Sequence, residues 1–318
     1  MVTGAPKRLS RIVSLASAMT LGLAAIMPTS TMAAAYASPQ PPASHWITST
    51  NYRYPGNDGK HHAVSWDKYS YMIDDHHLNI WSGEVHYWRL PSPHQWRDVL
   101  QKMKAAGFNA VSFYFFWGYH QSAPDSPFDF SGIRNIDLLL RMAAEEGLYV
   151  IARPGPYINA EISMGGMPAW QTNSSLPLRN AWDNTNWQQQ RAWLHAVNKI
   201  IARHQVTNGG GSVLLYQVEN EELASVGPYA DYVKKIIKAA KEDGINVPIF
   251  HNDYAPVGNW AFTTKDTGLD VYSYDDYPIR FDCSATRHKL QDHNWHIDPA
   301  FRAAHHSPHF IAEAQGGA

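Results

Sequence analysis

The stretch Ala106-Gly107-Phe108-Asn109-Ala110-Val111-Ser112-Phe113-Tyr114-Phe115-Phe116 closes a helical pattern on a glycine and runs at once into an unbroken apolar strand. The phrase returns twice, with Glu146-Gly147-Leu148 before Tyr149 to Ala152 and Asp243-Gly244-Ile245 before Val247 to Phe250. Each glycine reads as the left-handed residue that ends a helix. The segments before it carry apolar stripes at helical spacing: Trp96, Val99, Leu100 and Met103, then Ile136, Leu139, Leu140 and Ala143, then Tyr229, Tyr232, Val233 and Ile236. Ser92-Pro93 looks like a capped first turn. Near-continuous apolar strands alternating with amphipathic helices predict a parallel sheet covered on both faces.

Working outward, the strand candidates are Ile80 to Tyr87, Ala110 to Phe116, Tyr149 to Pro154, Val213 to Glu219, Val247 to Asn252, Val271 to Asp275 and His309 to Glu313. A doubly wound sheet needs a glycine-rich phosphate turn after its first strand, and Ser82-Gly83-Glu84-Val85-His86-Tyr87 offers one glycine and a carboxylate. Asn208 to Gly211 leads into a strand and not into a helix N-terminus, so it is a loop. A (β/α)8 TIM barrel fits better. Seven of its eight strands precede Ala318, so the expectation is an incomplete barrel, with strand eight and any later domain missing from the chain.

A length of 318 residues suits one such barrel, and 44% apolar against 17% charged residues excludes a disordered chain. The net charge of -2 supplies no field for a phosphate backbone, so nucleic acid is not an expected partner. The 12 Trp and 17 Tyr fill a core or stack against a ligand face. Lys7, Arg8 and Arg11 precede an apolar run from Ile12 to Met27 and an Ala-x-Ala site at Ala35 to Ala37, which reads as a secretory signal peptide over residues 1–37. The run is short for a membrane anchor, so the mature chain is expected in the extracellular space or periplasm, free of the membrane. Residues 38–60 read as a Pro/Ser-rich linker or extension and 61–318 as the barrel domain. The lone Cys283 is either free or paired outside the chain.

Barrel enzymes place their chemistry at the C-terminal ends of strands. Those ends carry Glu84, Arg153, Asn159-Ala160-Glu161, Asn220-Glu221, Asp275, Asp276 and Glu313. The sequence holds no Gly-x-Ser-x-Gly elbow and no His-Glu-x-x-His zinc helix. His61-His62, His76-His77 and His305-His306 lack metal-site spacing and read as solvated loop histidines, so no metal or cofactor is expected. What remains is two-carboxylate chemistry on a neutral, hydroxyl-rich substrate, as in glycoside hydrolysis. Strands four and seven face one another across a barrel mouth, which pairs a strand-four glutamate with Glu313. Period-two alternation puts Glu219 and Glu221 on one strand face, so spacing does not choose between them.

Ser82-Gly83-Glu84-Val85-His86-Tyr87-Trp88-Arg89, Val111-Ser112-Phe113-Tyr114, Arg153-Pro154-Gly155-Pro156-Tyr157-Ile158-Asn159-Ala160-Glu161, Gly165-Gly166-Met167-Pro168 and Gln217-Val218-Glu219-Asn220-Glu221 together resemble the β-galactosidases of glycoside hydrolase family 35. Phe281-Asp282-Cys283 and Glu313-Ala314-Gln315-Gly316-Gly317 resemble its long secreted members. The resemblance runs from about His61 to the end. It implies a retaining exo-β-galactosidase acting on terminal β-galactose, with Glu221 as acid/base and Glu313 as nucleophile. It further implies that Tyr114, Asn159, Ala160, Glu161, Asn220 and Tyr277 bind galactose, that large β-rich domains follow the barrel, and that Cys283 pairs with a cysteine past strand seven.

Each residue also has a plainer reading. For Tyr114 it is a core position, for Asn159 and Glu161 a turn role, and for Tyr277 before Pro278 the shaping of a turn alone. Glu84 is either a pocket wall or a partner of Arg153. For Asn220 and Glu221 both to touch sugar, the strand must bulge or end there. Glu222 and Ala314 stand where the family has aromatics. With those departures, an exo-β-glucosaminidase of the same family or an inactive sugar-binding fragment are the alternative readings.

Overall fold

The structure is a computed structural model that describes residues 58–173, 178–179, 184–223, 225–277 and 306–314. Every described residue belongs to one compact unit, Tyr52–Ala318. The expected signal peptide and Cys283 lie outside the described residues. No described helix is long and apolar enough to cross a membrane.

Three short strands come first. β1 (Val64–Trp66), β2 (Tyr71–Ile73) and β3 (His76–Leu78) form a small antiparallel sheet. Then β4 (Ser82–Glu84), β5 (Ala110–Tyr114), β6 (Tyr149–Arg153), β7 (Val213–Gln217), β8 (Ile249–Asp253), β9 (Val271–Asp276) and β10 (Ile311–Ala314) pair in parallel in the order β10-β9-β8-β7-β6-β5-β4. Sequential order throughout a parallel sheet is the connectivity of a (β/α) barrel, here curled and incomplete among the described residues. The helices are α1 (Pro93–Ala105), α2 (Trp117–His120), α3 (Ile136–Glu145), α4 (Asn184–Ile201), α5 (Gly227–Glu242) and α6 (Thr264–Thr267).

Local chemistry sets the helix ends. Ser92 Oγ accepts from the Gln95 amide at 3.3 Å with Pro93 opening α1, and Asn135 Oδ1 accepts from the Leu138 amide at 2.9 Å at the start of α3. Gly107, Gly147 and Gly244 take φ of 96°, 70° and 96°, the left-handed C-terminal role their phrase predicts.

Alternation along the strands builds two apolar layers. Val111, Phe113, Val150, Ala152, Ile249 and Tyr272 face outward to the helices, among them Leu139 of α3, Trp193 of α4 and Val233 of α5. The intervening Ala110, Tyr149, Ile151, Leu215, Phe250 and Val271 face inward and pack with Tyr71 and Ile73 of β2, so the small sheet closes the barrel's floor.

The structure departs from expectation at several points. β4 is only Ser82–Glu84, because Tyr87–Arg89 turns into a 3-10 helix. β1 and β2 lie within residues 61–73, ahead of the first strand candidate at Ile80. α4 has 18 residues and no glycine phrase announced it. His62 is not solvated; it bridges Asp58 at 2.9 Å and Asp74 at 2.5 Å.

Candidate active site

The polar residues at the barrel mouth occupy the inward positions just past the apolar floor. Tyr114 closes β5, Arg153 closes β6, Gln217 closes β7, and Asn252 and Asp275 lie near the ends of β8 and β9. β10 needs one irregularity to join them. Its pairing with β9 slips between Ile311 and Glu313, so that Glu313 registers with Asp275. With Phe310 packed inward, strict alternation would turn Glu313 away; the bulge at Ala312 aims it into the mouth.

Glu313 is the most heavily bonded carboxyl of the mouth. Tyr114 Oη and Arg153 Nη2 donate to Oε1, Asn252 Nδ2 stands 3.4 Å from the same oxygen, and Tyr277 Oη donates to Oε2 at 2.6 Å. Arg153 is 1% exposed, lies over the Tyr114 ring at 3.9 Å, and also donates to Glu84 at 3.1 Å and Asn220 Oδ1 at 2.9 Å. Glu84 is therefore an Arg153 partner, and it also bonds His86 at 2.7 Å on the rim.

The strand-four glutamates separate where alternation ends. Past Gln217 the chain leaves the strand, and Glu219 and Glu221 take left-handed φ of 61° and 48°. Such non-glycine conformations persist only when their surroundings hold them. Glu219 points away into a buried fork, receiving Arg179 Nε at 2.7 Å and Nη2 at 2.6 Å. Arg179 also donates to the Asn220 carbonyl at 2.6 Å. Glu221 faces the mouth: Asn220 Nδ2 donates to it at 3.2 Å, and its amide meets Asn252 Oδ1 at 3.3 Å. The expected end of the strand thus occurs, and it orients Asn220 and Glu221 together.

Of the remaining candidates, Asn159, Ala160 and Glu161 form a run of three left-handed residues with φ of 52°, 52° and 49°. Ala160 is buried against Tyr114 and Ile158, and its carbonyl receives Arg89 Nη2 at 3.0 Å; Glu161 is exposed. Glu222, where an aromatic was expected, hangs its amide on His251 Nε2 at 3.0 Å and stands 3.5 Å from Arg179. Ala314 is exposed. Asn252 and Arg179 were not singled out from the sequence. Asn252 ends an inward strand position and was legible by that rule, whereas Arg179 comes from a loop whose place no period reveals.

The electrostatics differ across the site. Burial raises the pKa of Glu221, and the charge of Glu313 adds to it. Burial would also raise Glu313, but the Arg153 guanidinium and the Tyr114, Tyr277 and Arg153 hydrogen bonds outweigh it and hold that carboxyl below its usual value. Asp275 is pushed up to about 9, first by burial and then by Glu313. Burial raises Glu219 to about 7 despite Arg179. The mouth thus holds two carboxyls biased toward the acid form, Glu221 and Asp275, beside one biased toward its anion, Glu313. Among the described residues no group of His, Cys, Asp or Glu is arranged to hold a metal ion.

A sequence model of glycosyl hydrolases family 35 matches residues 70–318, and the chain belongs to that family. It is 40% identical over 268 residues to a probable β-galactosidase C of Aspergillus clavatus, covering 81% of this chain and 27% of that protein. A probable β-galactosidase C of Neosartorya fischeri is 42% identical over 236 residues, covering 72% of this chain and 24% of that protein. The chain therefore spans about a quarter of the length of these relatives. Among solved structures, a β-galactosidase from Rahnella sp. R3 superposes with a TM-score of 0.55 at 13% identity, covering 74% of this chain and 45% of that one. At that identity the likeness speaks to the barrel fold alone.

Proposed function

We propose that this chain carries the catalytic barrel of a secreted, retaining exo-β-galactosidase that removes terminal β-galactose by double displacement. The observation that carries the reading is the opposed bias of two neighbouring carboxyls: Glu221 raised, Glu313 lowered. The names of the fungal relatives support galactose as the sugar. The basic and apolar residues ahead of Ala37 support secretion.

In this reading the Glu313 carboxylate attacks the anomeric carbon while Glu221 passes its proton to the departing glycosidic oxygen. Water then attacks the galactosyl–enzyme ester as Glu221 takes its proton back, and β-galactose leaves. Tyr114, Arg153 and Tyr277 hold the nucleophile in place, and their donated bonds receive it again as it leaves the ester. Tyr114, Asn159, Ala160, Glu161, Asn220 and Tyr277 form the galactose-binding set.

Azide rescue separates the two roles. Glu313→Ala should lose several orders of magnitude in rate and regain turnover with azide, yielding α-galactosyl azide, whereas Glu221→Ala on an activated aryl galactoside should yield the β-azide. Swapped products would reverse the assignment, and β-azide from Glu219→Ala instead would move the acid/base two residues back. Preferential hydrolysis of aryl β-glucosaminide, or an α anomer as first product, would overturn the substrate or the stereochemistry.

A further inference from the structure

Three carboxyl groups, not two, meet at the mouth. Asp275 is 1% exposed on β9, in register with Glu313. Its Oδ2 receives Asn252 Nδ2 at 2.7 Å, and no donor among the described residues reaches its buried Oδ1. Its carboxyl lies in hydrogen-bonding contact with that of Glu221. Asn252 ties both together, since its Oδ1 also meets the Glu221 amide at 3.3 Å and accepts from Gln217 Nε2 at 2.7 Å.

Two ionised carboxylates have only acceptors and repel when they touch, so such a contact requires a proton. Of the two arginines that act on these groups, Arg179 is taken up by the Glu219 fork, and Arg153 already donates to Glu84, Glu313 and Asn220. It cannot balance Glu221, Asp275 and Glu313 ionised together. Asn252 leaves Asp275 Oδ1 as the atom free to carry a proton, because Oδ2 is held as an acceptor.

We propose that Asp275 is a positioning residue for the acid/base: a carboxylic acid kept neutral, whose Oδ1 hydroxyl donates to the Glu221 carboxylate. The groups facing it are Glu221, Glu313 and Arg153, with Asn252 at its other oxygen. When Glu221 gives its proton to the leaving group, the anion it becomes receives this bond. No proton leaves Asp275 in either step. The assignment rests on Glu221 being the acid/base.

The test compares Asp275→Asn with Asp275→Ala. An asparagine offers its carbonyl to Asn252 and its amide N–H to Glu221, so it mimics a neutral acid and should retain the rate near neutral pH. Alanine removes the donor, and a hydrogen bond to a charged group accounts for roughly 1.5–3 kcal/mol, a loss of about ten- to a hundredfold in kcat/KM. Without a donor to its ionised form Glu221 titrates higher, so the upper limb of the kcat/KM profile should move up in the alanine variant and stay in place in the asparagine one. Infrared difference spectra at neutral pH should show a protonated-carboxyl band that both variants lose. Equal damage in the two variants, an unmoved limb in the alanine variant, or no lost band would overturn the proposal. If Glu221→Ala yields no β-azide while the band is lost as expected, the assignment of Glu221 falls and the protonation of Asp275 stands.

Discussion

The two ends of the same strands hold different chemistry on the same inward face. Ile151 packs on the floor and Arg153, two residues on, carries the mouth's positive charge; Phe250 and Asn252 repeat the pattern on β8, and Val271 and Asp275 on β9. The floor is held by non-directional apolar burial and closed by the small antiparallel sheet. The mouth is held by hydrogen bonds to buried charges, with left-handed residues at 159–161, 219 and 221. Stability resides at the floor and is partly surrendered at the mouth, where carboxyls are kept buried against their preference.

Arg153→Met should break this contrast most severely. It leaves Glu313, Glu84 and Asn220 without their shared donor. Removing one partner of a buried ion pair costs about 3–5 kcal/mol, and loss of a preorganised donor at the reacting centre costs about 10²–10³ in kcat. Urea titration and aryl-galactoside kinetics on one preparation would read both. A variant as stable as the parent would mean that Glu313 and Glu84 are solvated enough to need no cation.

Phe250→Ala attacks the floor instead. Phe250 is fully buried and meets Phe310 at 4.9 Å between ring centroids. Truncation should cost about 3–5 kcal/mol, with KM and the kcat of the folded fraction unchanged. A KM that rises with the loss of stability would show that floor and mouth are coupled, for example through Asn252 on the same strand.

What the sequence made legible follows the same division. The five central parallel strands, β5 to β9, could be read because each is buried on both sides, and three of them follow a C-terminal glycine. The short strands β1 to β3 could not, since three residues of mixed polarity such as His76-His77-Leu78 carry no period. α4 escaped because it begins on the polar run Asn184-Thr185-Asn186 and ends without a glycine. Every candidate carboxylate could be named from strand ends, yet alternation could not separate Glu219 from Glu221. Their difference lies in two left-handed residues and in Arg179, which arrives from a distant loop. The bulge that turns Glu313 inward has no signature in Phe310-Ile311-Ala312-Glu313.

The smallest effect is a matter of pH, and it sets the mouth against the outer helices. Burial raises Asp275 at the mouth to about 9 and Glu219 in the fork behind it to about 7, so their contribution to stability is full below the ordinary carboxylate pKa and is lost as pH rises through those values. Asp243, at the end of α5, runs the other way. Burial would raise it, but Arg191 Nη1 at 2.8 Å and Nη2 at 2.9 Å, His195 at 2.6 Å and Asn198 at 3.1 Å hold it below its usual value. Its contribution is present above the unfolded carboxylate pKa and disappears as pH falls through the folded one. Arg191 and His195 are partly exposed, so solvent screening leaves Asp243→Asn a cost of about 1 kcal/mol near neutral pH. Thermal melts across pH should then show parent and variant converging on the acid side and parallel on the alkaline side, where the mouth governs the slope. Curves that stay parallel down to the acid limb would remove Asp243 from the pH dependence and leave the mouth as its source at both ends.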